Sequence, residues 1–233
     1  MLDNLRKIFD KVVDSEGVKT PEAGVISFVN PSSALRLANC NSVDISKITV
    51  LYSDGFFLTW ILKLLYGCNV VRRSFDSTSI GLDVLLDDKV AVIGATQSEL
   101  ENFSKLLLKN YGVSVLPLSN GFVDFNEENL HSLVEKMRME GTSVLVLGLG
   151  CPKQEEIGLA FHRLNSELLI YTCGAFITQT ARGGSFIYYP GWIDKTNLRW
   201  LYRLYKEPHT LKRLTSVFWI SVYAVLIKIM YAR

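Results

Sequence analysis

Short apolar runs alternate with amphipathic segments along most of the chain. Runs rich in Val, Ile and Leu that end at turn-forming residues predict buried strands at 25–29, 48–52, 90–93, 113–116, 144–147 and 168–172. Between them, helices are predicted at 34–38, 56–66, 98–109 and 127–139. This alternation indicates an α/β fold, in which a parallel or mostly parallel sheet carries helices on both faces.

The last apolar segment, residues 214–231, follows a different pattern. It reads LTSVFWISVYAVLIKIMY and is barely long enough to cross a bilayer, which takes about 20 residues of helix. Trp219, Tyr223 and Tyr231, with basic residues at both ends, favour a helix that lies in the membrane interface. A helix buried in the core or in an oligomer interface is one alternative, and a true membrane span is the other.

Composition and charge exclude several classes of protein. Of 233 residues, 48% are hydrophobic and 21% are charged, which is typical of a globular chain and not of a disordered one. The net charge of +2 does not indicate a nucleic-acid partner. Basic and aromatic residues are concentrated together toward the C-terminus, a combination that suits an anionic membrane surface.

Cysteine and histidine follow no metal-binding pattern. The four cysteines, Cys40, Cys68, Cys151 and Cys173, form no C-x-x-C pair, and the three histidines are scattered. The pattern predicts no structural zinc site and favours buried free thiols in a reducing cytoplasm. The segment MLDNLRKIFDKVVDSEG at the start is amphipathic and lacks the long apolar core of a secretory signal.

The most informative segment covers residues 143–156 and reads SVLVLGLGCPKQEE. A buried strand leads through a glycine loop into a helix that begins at a proline. In open α/β sheets, ligands bind beyond the carboxyl ends of the strands, where a helix N-terminus attracts phosphate or carboxylate. Lys153, Gln154 and Glu155 are therefore predicted to project near such a crevice. The alternative is an ordinary solvated first turn of a helix.

Several motifs together resemble one known family. The segment GLGCPKQE is followed by CGAF at 173–176, YYPGW at 188–192, LRWLYRL at 198–204 and EP at 207–208. This series resembles the WecG–TagA–CpsF family of bacterial glycosyltransferases, over residues 24–214 and most specifically in the C-terminal half. The resemblance implies a Rossmann-like fold and transfer of a sugar from a nucleotide-sugar donor to a polyprenyl-diphosphate-linked acceptor at the membrane.

The resemblance also divides the chain. Residues 1–194 are expected to form the α/β catalytic domain that binds the nucleotide sugar. Residues 195–233 are expected to form a basic, aromatic helical appendage that associates with the membrane.

Two strand ends carry residues that match the family's site. Asp54 follows the second strand and precedes a glycine, and the resemblance implies that this residue is the catalytic base. An ordinary Asp-Gly turn is the alternative. Asn30 matches an asparagine at the end of the first strand that would bind substrate, and a helix cap or turn former is its alternative. Where the family often has threonine two residues before this asparagine, the chain has Phe28, so a hydroxyl expected near the substrate is missing.

Further residues are expected to bind the donor or the acceptor. Arg73, or Arg72 one residue earlier, matches an arginine suited to a diphosphate, with a surface arginine as the alternative. Gln154 is expected to hydrogen-bond the sugar or nucleotide, beside Lys153 and Glu155, and Glu155 could instead cap the helix start. Gly174 matches a glycine turn at a strand end. After CGAF many members carry aspartate, whereas this chain has Ile177, so the donor need not be the commonest one.

A basic stripe near the C-terminus is the last candidate region. Arg199, Arg203 and nearby basic residues recur at spacings near three and four, which would place positive charge over the site's mouth, facing the acceptor's diphosphate. The alternative is a solvated helix face with Trp200, Leu201 and Leu204 turned inward.

These expectations combine into one predicted function. The chain would be a peripheral inverting glycosyltransferase on the cytoplasmic face of the bacterial plasma membrane, extending a lipid-linked saccharide in surface polysaccharide assembly. Its expected partners are a UDP-sugar, a polyprenyl-diphosphate-linked saccharide and the inner leaflet, with a possible homo-oligomer. The resemblance implies that no metal or other cofactor is needed. In agreement with it, no D-x-D pair is present, and Asp87-Asp88 precede a strand, at its wrong end.

Two other classes remain open. A catalytically inactive nucleotide-binding regulatory module of the same fold would bind UDP without transferring sugar. A Rossmann-type oxidoreductase is disfavoured, because no G-x-G-x-x-G opens the first strand–helix unit.

Overall fold

The computed structural model describes residues 1–67, 69–76, 80–87, 89–186, 193, 196, 199–206 and 211–231. Within these ranges the centre of the fold is a six-stranded sheet in which every neighbouring pair of strands is parallel. The strands in chain order are β1 Gly24–Val29, β2 Val50–Ser53, β3 Val90–Gly94, β4 Leu116–Ser119, β5 Val144–Gly148 and β6 Leu169–Thr172. Their order across the sheet is β2-β1-β6-β5-β3-β4.

Helices connect and cover these strands. In chain order they are α1 Leu2–Asp14, α2 Pro31–Ala38, α3 Phe56–Tyr66, α4 Gly81–Leu85, α5 Gln97–Tyr111, α6 Glu127–Met139, α7 Lys153–Leu164, α8 Phe176–Gly183, α9 Arg199–Lys206 and α10 Lys212–Tyr231. The expected Rossmann-like α/β fold, with a parallel sheet and helices on both faces, is confirmed.

The two faces of the sheet have different cores because side chains alternate along each strand. In β1, Ile26 and Phe28 enter a cluster with residues of α4, α5 and α8. Val25 and Val29 face the other side, which carries two clusters. One is formed with α1, α2, α3 and α10, and the other with α6 and α7.

The fourth strand is the one element that was misplaced by several residues. Its prediction at 113–116 was wrong, since β4 covers Leu116–Ser119 and includes Pro117. Proline lacks the N–H that a central strand needs. The strand tolerates proline because β4 lies at the edge of the sheet, with β3 as its neighbour.

The C-terminal helix α10 packs on the body of the protein with one side only. Ile220, Ala224 and Ile227 are buried in the cluster that also contains Leu5 and Leu37. The other side is exposed, including Phe218, Trp219, Val225, Leu226, Ile229 and Met230. By length and composition, Leu214–Tyr231 is the one span in the described ranges that could cross a membrane. The boundary at 194/195 stays a prediction.

Candidate active site

A cavity of about 200 Å³ lies where the carboxyl ends of β1, β2, β5 and β6 meet. In a parallel sheet these ends share one edge, so loops that are distant in sequence converge there. Four of the predicted site residues line this cavity: Asn30, Asp54, Gln154 and Gly174. The prediction of a crevice beyond the strand ends therefore agrees with the structure.

Asp54 is positioned by the end of the sheet. Its backbone N–H donates to the carbonyl of Val29 at 2.8 Å, which extends the contact between β1 and β2 by one residue. Gly55 then adopts a φ of 90°, a conformation that favours glycine, and α3 begins at Phe56. Asp54 and Gly55 therefore form the turn that was the alternative, and this turn also places the half-buried Asp54 side chain on the cavity wall.

Asn30 serves as the cap of α2. Its Oδ1 accepts hydrogen bonds from the backbone N–H groups of Ser32 and Ser33, at 3.0 and 3.1 Å, and its own N–H donates to the Ser33 hydroxyl. The helix-cap alternative is therefore confirmed, although the residue also lines the cavity. Phe28 forms an apolar part of the wall and packs against Tyr52 and Phe75.

Gln154 and Glu155 belong to a buried hydrogen-bond network beneath the cavity. Glu155 is fully buried, and its Oε1 accepts from the Ser27 hydroxyl at 2.8 Å and from Gln154 Nε2 at 3.0 Å. Thr172 donates in turn to Ser27, and the N–H of Gly174 donates to Gln154 Oε1. These partners determine the orientation of the Gln154 amide. Its oxygen faces the Gly174 N–H, which needs an acceptor, and its NH₂ faces the Glu155 carboxylate, which needs a donor.

The position of Glu155 in this network shows that it does not cap the start of α7. Its carboxylate does not cap α7, since no side chain caps that helix, and it points into the interior instead. Glu155 Oε2 has no hydrogen-bond partner among the described residues. The carboxylate therefore holds Gln154, and Gln154 holds the loop after β6 at Gly174.

Lys153 and Arg73 lie outside the cavity lining. Lys153 Nζ donates to the carbonyl of Gly121 at 3.3 Å and lies 4.9 Å from the ring centre of Phe125. The Arg73 guanidinium lies 4.7 Å from the ring centre of Tyr52. The structure thus does not bring these two cations to the cavity wall, and their role in substrate binding stays a prediction.

The basic stripe is described only in part. Arg199 and Arg203 lie on α9, but their side chains are outside the described residues, as are YYPGW and His209. The ring of Trp200 packs against Phe57, with centroids 5.6 Å apart, which places α9 beside the start of α3. Leu201 is exposed, so the apolar residues of α9 are not all turned inward.

Polar residues that were not predicted also line the cavity. Arg36 supplies a cation from α2, and Ser74, Asp76 and Gln179 add further polar groups. Ser74 donates a hydrogen bond to Asp76. Arg36 could have been found, because it lies one turn after Ser32 on the polar side of a short helix. Asp76 lies in a loop, where no periodicity indicates which way a side chain points.

The cavity thiols are uncharged. Burial raises the pKa of Cys173 to about 12. Burial and the neighbouring Glu155 carboxylate raise the pKa of Cys151 far above its ordinary value. Neither is therefore an activated nucleophile. Free thiols are confirmed for Cys40, Cys151 and Cys173, which are half-buried, and Cys68 lies outside the described residues. No group of metal-ligating side chains occurs in the part of the chain that the structure describes.

A parallel α/β fold with a polar cavity at its carboxyl edge is typical of enzymes that bind nucleotides or phosphorylated ligands. Comparison with known proteins specifies the class. The sequence model of the glycosyl transferase WecG/TagA/CpsF family matches residues 4–233. A curated relative, the UDP-Gal:alpha-D-GlcNAc-diphosphoundecaprenol beta-1,4-galactosyltransferase of Shigella boydii, is 33% identical over 222 residues, covering 91% of this chain and 90% of the relative. The chain belongs to the WecG/TagA/CpsF family and is a glycosyltransferase.

We expect Gln154→Ala to weaken productive donor binding by about 1–3 kcal/mol, because the Gly174 N–H loses its partner and Glu155 Oε1 keeps only the Ser27 hydroxyl in a buried setting. Steady-state kinetics with varied donor would show the change. Gln97→Ala is the matched control, since Gln97 bonds Glu101 on the exposed surface of α5. Unchanged donor KM and kcat in Gln154→Ala would show that its hydrogen bonds do not support the site.

Proposed function

We propose that this glycosyltransferase is membrane-associated, inverting and metal-independent, and transfers a sugar from a UDP-sugar to a polyprenyl-diphosphate-linked saccharide. The observation that carries the proposal is the cavity at the carboxyl edge, with Asp54 on its wall, in a chain similar over nearly its whole length to a galactosyltransferase that uses UDP-Gal and a diphosphoundecaprenol-linked GlcNAc. Assembly of a surface polysaccharide is the process that such a transfer serves.

The cavity has features suited to a diphosphate. The first turns of α2, α7 and α8 reach it through Ser32, Gln154 and Phe176. The partial positive charge at the three helix N-termini favours an anion, and Arg36 adds a full positive charge. The leaving UDP develops negative charge as its bond to the sugar breaks, so these groups stabilise the transition state.

Inversion follows from a single displacement. The acceptor hydroxyl oxygen bonds to the anomeric carbon as the bond to the diphosphate breaks, and Asp54 takes the hydroxyl proton as general base. The relative makes a β-linked product from UDP-Gal. Because the sugar of UDP-galactose is α-linked, a β product requires inversion, which supports the same stereochemistry here.

The proposed location is the cytoplasmic face of the plasma membrane, with the enzyme bound peripherally to the inner leaflet. UDP-sugars are cytoplasmic donors, and a lipid-linked acceptor presents its saccharide at the membrane surface. The exposed apolar side of α10 supports this location, because Ile220, Ala224 and Ile227 pack the other side on the protein, and a helix with one exposed apolar side suits an interface better than a span.

The proposal is tested with a panel of UDP-sugars and a short-chain, water-soluble GlcNAc-diphospho-lipid. We expect mass spectrometry to show transfer of one sugar in the presence of EDTA, and NMR to show a β anomeric linkage. An α linkage would exclude inversion. UDP binding by calorimetry without transfer from any donor would instead support a regulatory module that has lost catalysis.

A further inference from the structure

The helix that follows Asp54 carries an exposed apolar stripe. On the inner side of α3, Leu58, Ile61 and Leu62 are buried in the core. On the outer side, Phe56 is 42% exposed, Trp60 54% and Leu64 64%, at intervals of four residues that keep them on one face. An isolated exposed apolar residue needs no explanation, whereas a stripe of large ones marks a contact surface.

The two helices that contact α3 also carry exposed apolar side chains. At its start, α3 meets α9 through the rings of Phe57 and Trp200, and Tyr205 of α9 is 80% exposed. Along its length α3 packs against α10, and residues from the ends of both line one groove. The exposed residues of α10 include Ile229 at 70%. Exposed apolar side chains therefore occur on α3 and on both helices that contact it.

Positive charge is interspersed in this surface. Lys63 is exposed on α3, and Lys228 is exposed on α10. In the adjoining groove the Arg6 guanidinium lies 4.2 Å from the ring centre of Tyr231 and is paired with Asp10, which also lines the groove. Among the described residues of α3 and α10 no acidic side chain occurs. Aromatic and aliphatic side chains mixed with cations favour an anionic leaflet over a second copy of the chain, whose matching surface would carry the same charges.

We propose that the outer face of α3 inserts, together with α10, into the headgroup region of an anionic bilayer. The 11 residues of α3 are about 16 Å long, far short of the roughly 30 Å of a hydrocarbon core, so the helix lies in the interface and does not cross it. The inference rests on the proposed function, which supplies the membrane-borne acceptor. It adds that the catalytic body itself, and not the C-terminal helix alone, contacts lipid.

The arrangement has a consequence for the reaction. Asp54 lies two residues before the first residue of α3. Docking of α3 would therefore hold the cavity wall that carries Asp54 near the headgroups, where the diphosphate of a lipid-linked acceptor resides. An acceptor would then reach the site without leaving the membrane.

The test is flotation of the full-length protein with vesicles of phosphatidylglycerol and phosphatidylethanolamine. We expect Trp60→Glu/Leu64→Glu to reduce the vesicle partition coefficient at least tenfold. Turnover on the short-chain soluble acceptor should stay at the wild-type level, because neither residue lines the cavity. Leu108→Glu is the matched control, since Leu108 is 55% exposed on α5, on the opposite face of the sheet, and its partition should be unchanged.

A second measurement guards against effects on folding. In a variant whose only tryptophan is Trp60, brominated lipids should quench its fluorescence with anionic vesicles and not with purely zwitterionic ones. Wild-type partition of the double variant, or absence of quenching, would overturn the proposal. The proposal would also be overturned if the double variant were a monomer and the wild type a dimer in lipid-free sedimentation, while both bound vesicles equally. That result would assign this face to a second copy of the chain. If the wild-type protein transferred no sugar to the soluble acceptor, the result would instead count against the proposed function.

Discussion

Asp54→Asn is expected to lower turnover about a hundredfold or more while donor affinity stays nearly constant. Asparagine has nearly the same size and shape as aspartate but cannot act as a base. A positioned general base contributes about 10²–10⁴-fold to a rate. The fold should survive, because Asp54 follows β2 and its backbone N–H, which the substitution retains, makes the contact to Val29. Single-turnover kinetics with UDP binding measured in parallel would separate chemistry from affinity.

The cavity contains a second carboxylate, which allows the two candidate bases to be compared. Asp76 also lines the wall and accepts a hydrogen bond from Ser74. Asp76→Asn should therefore have a smaller effect on the rate than Asp54→Asn. Asp124→Asn is the surface control, because Asp124 is exposed in the loop before α6. The opposite ranking, with Asp76 essential and Asp54 dispensable, would assign the base to Asp76.

Truncation before Thr215 is expected to destabilise the whole protein. It removes Ile220 and Ile227 from the core cluster, and burying a side chain of that size contributes about 1.5–3 kcal/mol. The combined loss of about 3–6 kcal/mol should lower the Tm by roughly 10 °C or more for a chain of this length, as measured by circular dichroism. Surfaces of Leu5 and Leu37 that α10 covers would become exposed, so the truncated protein should also aggregate more readily.

Substitutions on the outer side of α10 are the appropriate comparison. Phe218→Ser/Ile229→Ser changes residues that are 63% and 70% exposed and should leave the Tm within about 2 °C of the wild type. Vesicle binding should nevertheless fall in this variant. A truncated protein as stable as the full chain would mean that α10 does not pack on the body in solution. These two outcomes together would assign membrane binding and folding to opposite sides of one helix.

Much of the site could be predicted because of a topological rule. Asn30, Asp54, Gln154 and Gly174 each follow a predicted strand, and the carboxyl ends of parallel strands share one edge. Their convergence therefore needed only the strands and their direction. Their meeting in one cavity also needed the strand order, which places β6 between β1 and β5 and which no local pattern contains.

The direction of individual side chains could not be predicted in the same way. Lys153, Gln154 and Glu155 are consecutive on the first turn of α7, and successive residues of a helix point about 100° apart. One reaches Gly121, one reaches the cavity and one enters the interior. Which residue takes which place depends on how α7 is rotated against β1 and β6, where Ser27 and Thr172 supply the buried partners.

The sequence by itself determined the class of fold, the edge of the sheet at which the cavity lies and the residues at its strand ends, because period and turn chemistry are local properties. It also determined that residues 214–231 are apolar enough for a membrane or a core. Only the tertiary structure decided that α10 buries one side and exposes the other, that α3 exposes a stripe beside it, and that Glu155 is buried. These features arise from contacts between segments distant along the chain, and such contacts are made only when the helices pack on the sheet.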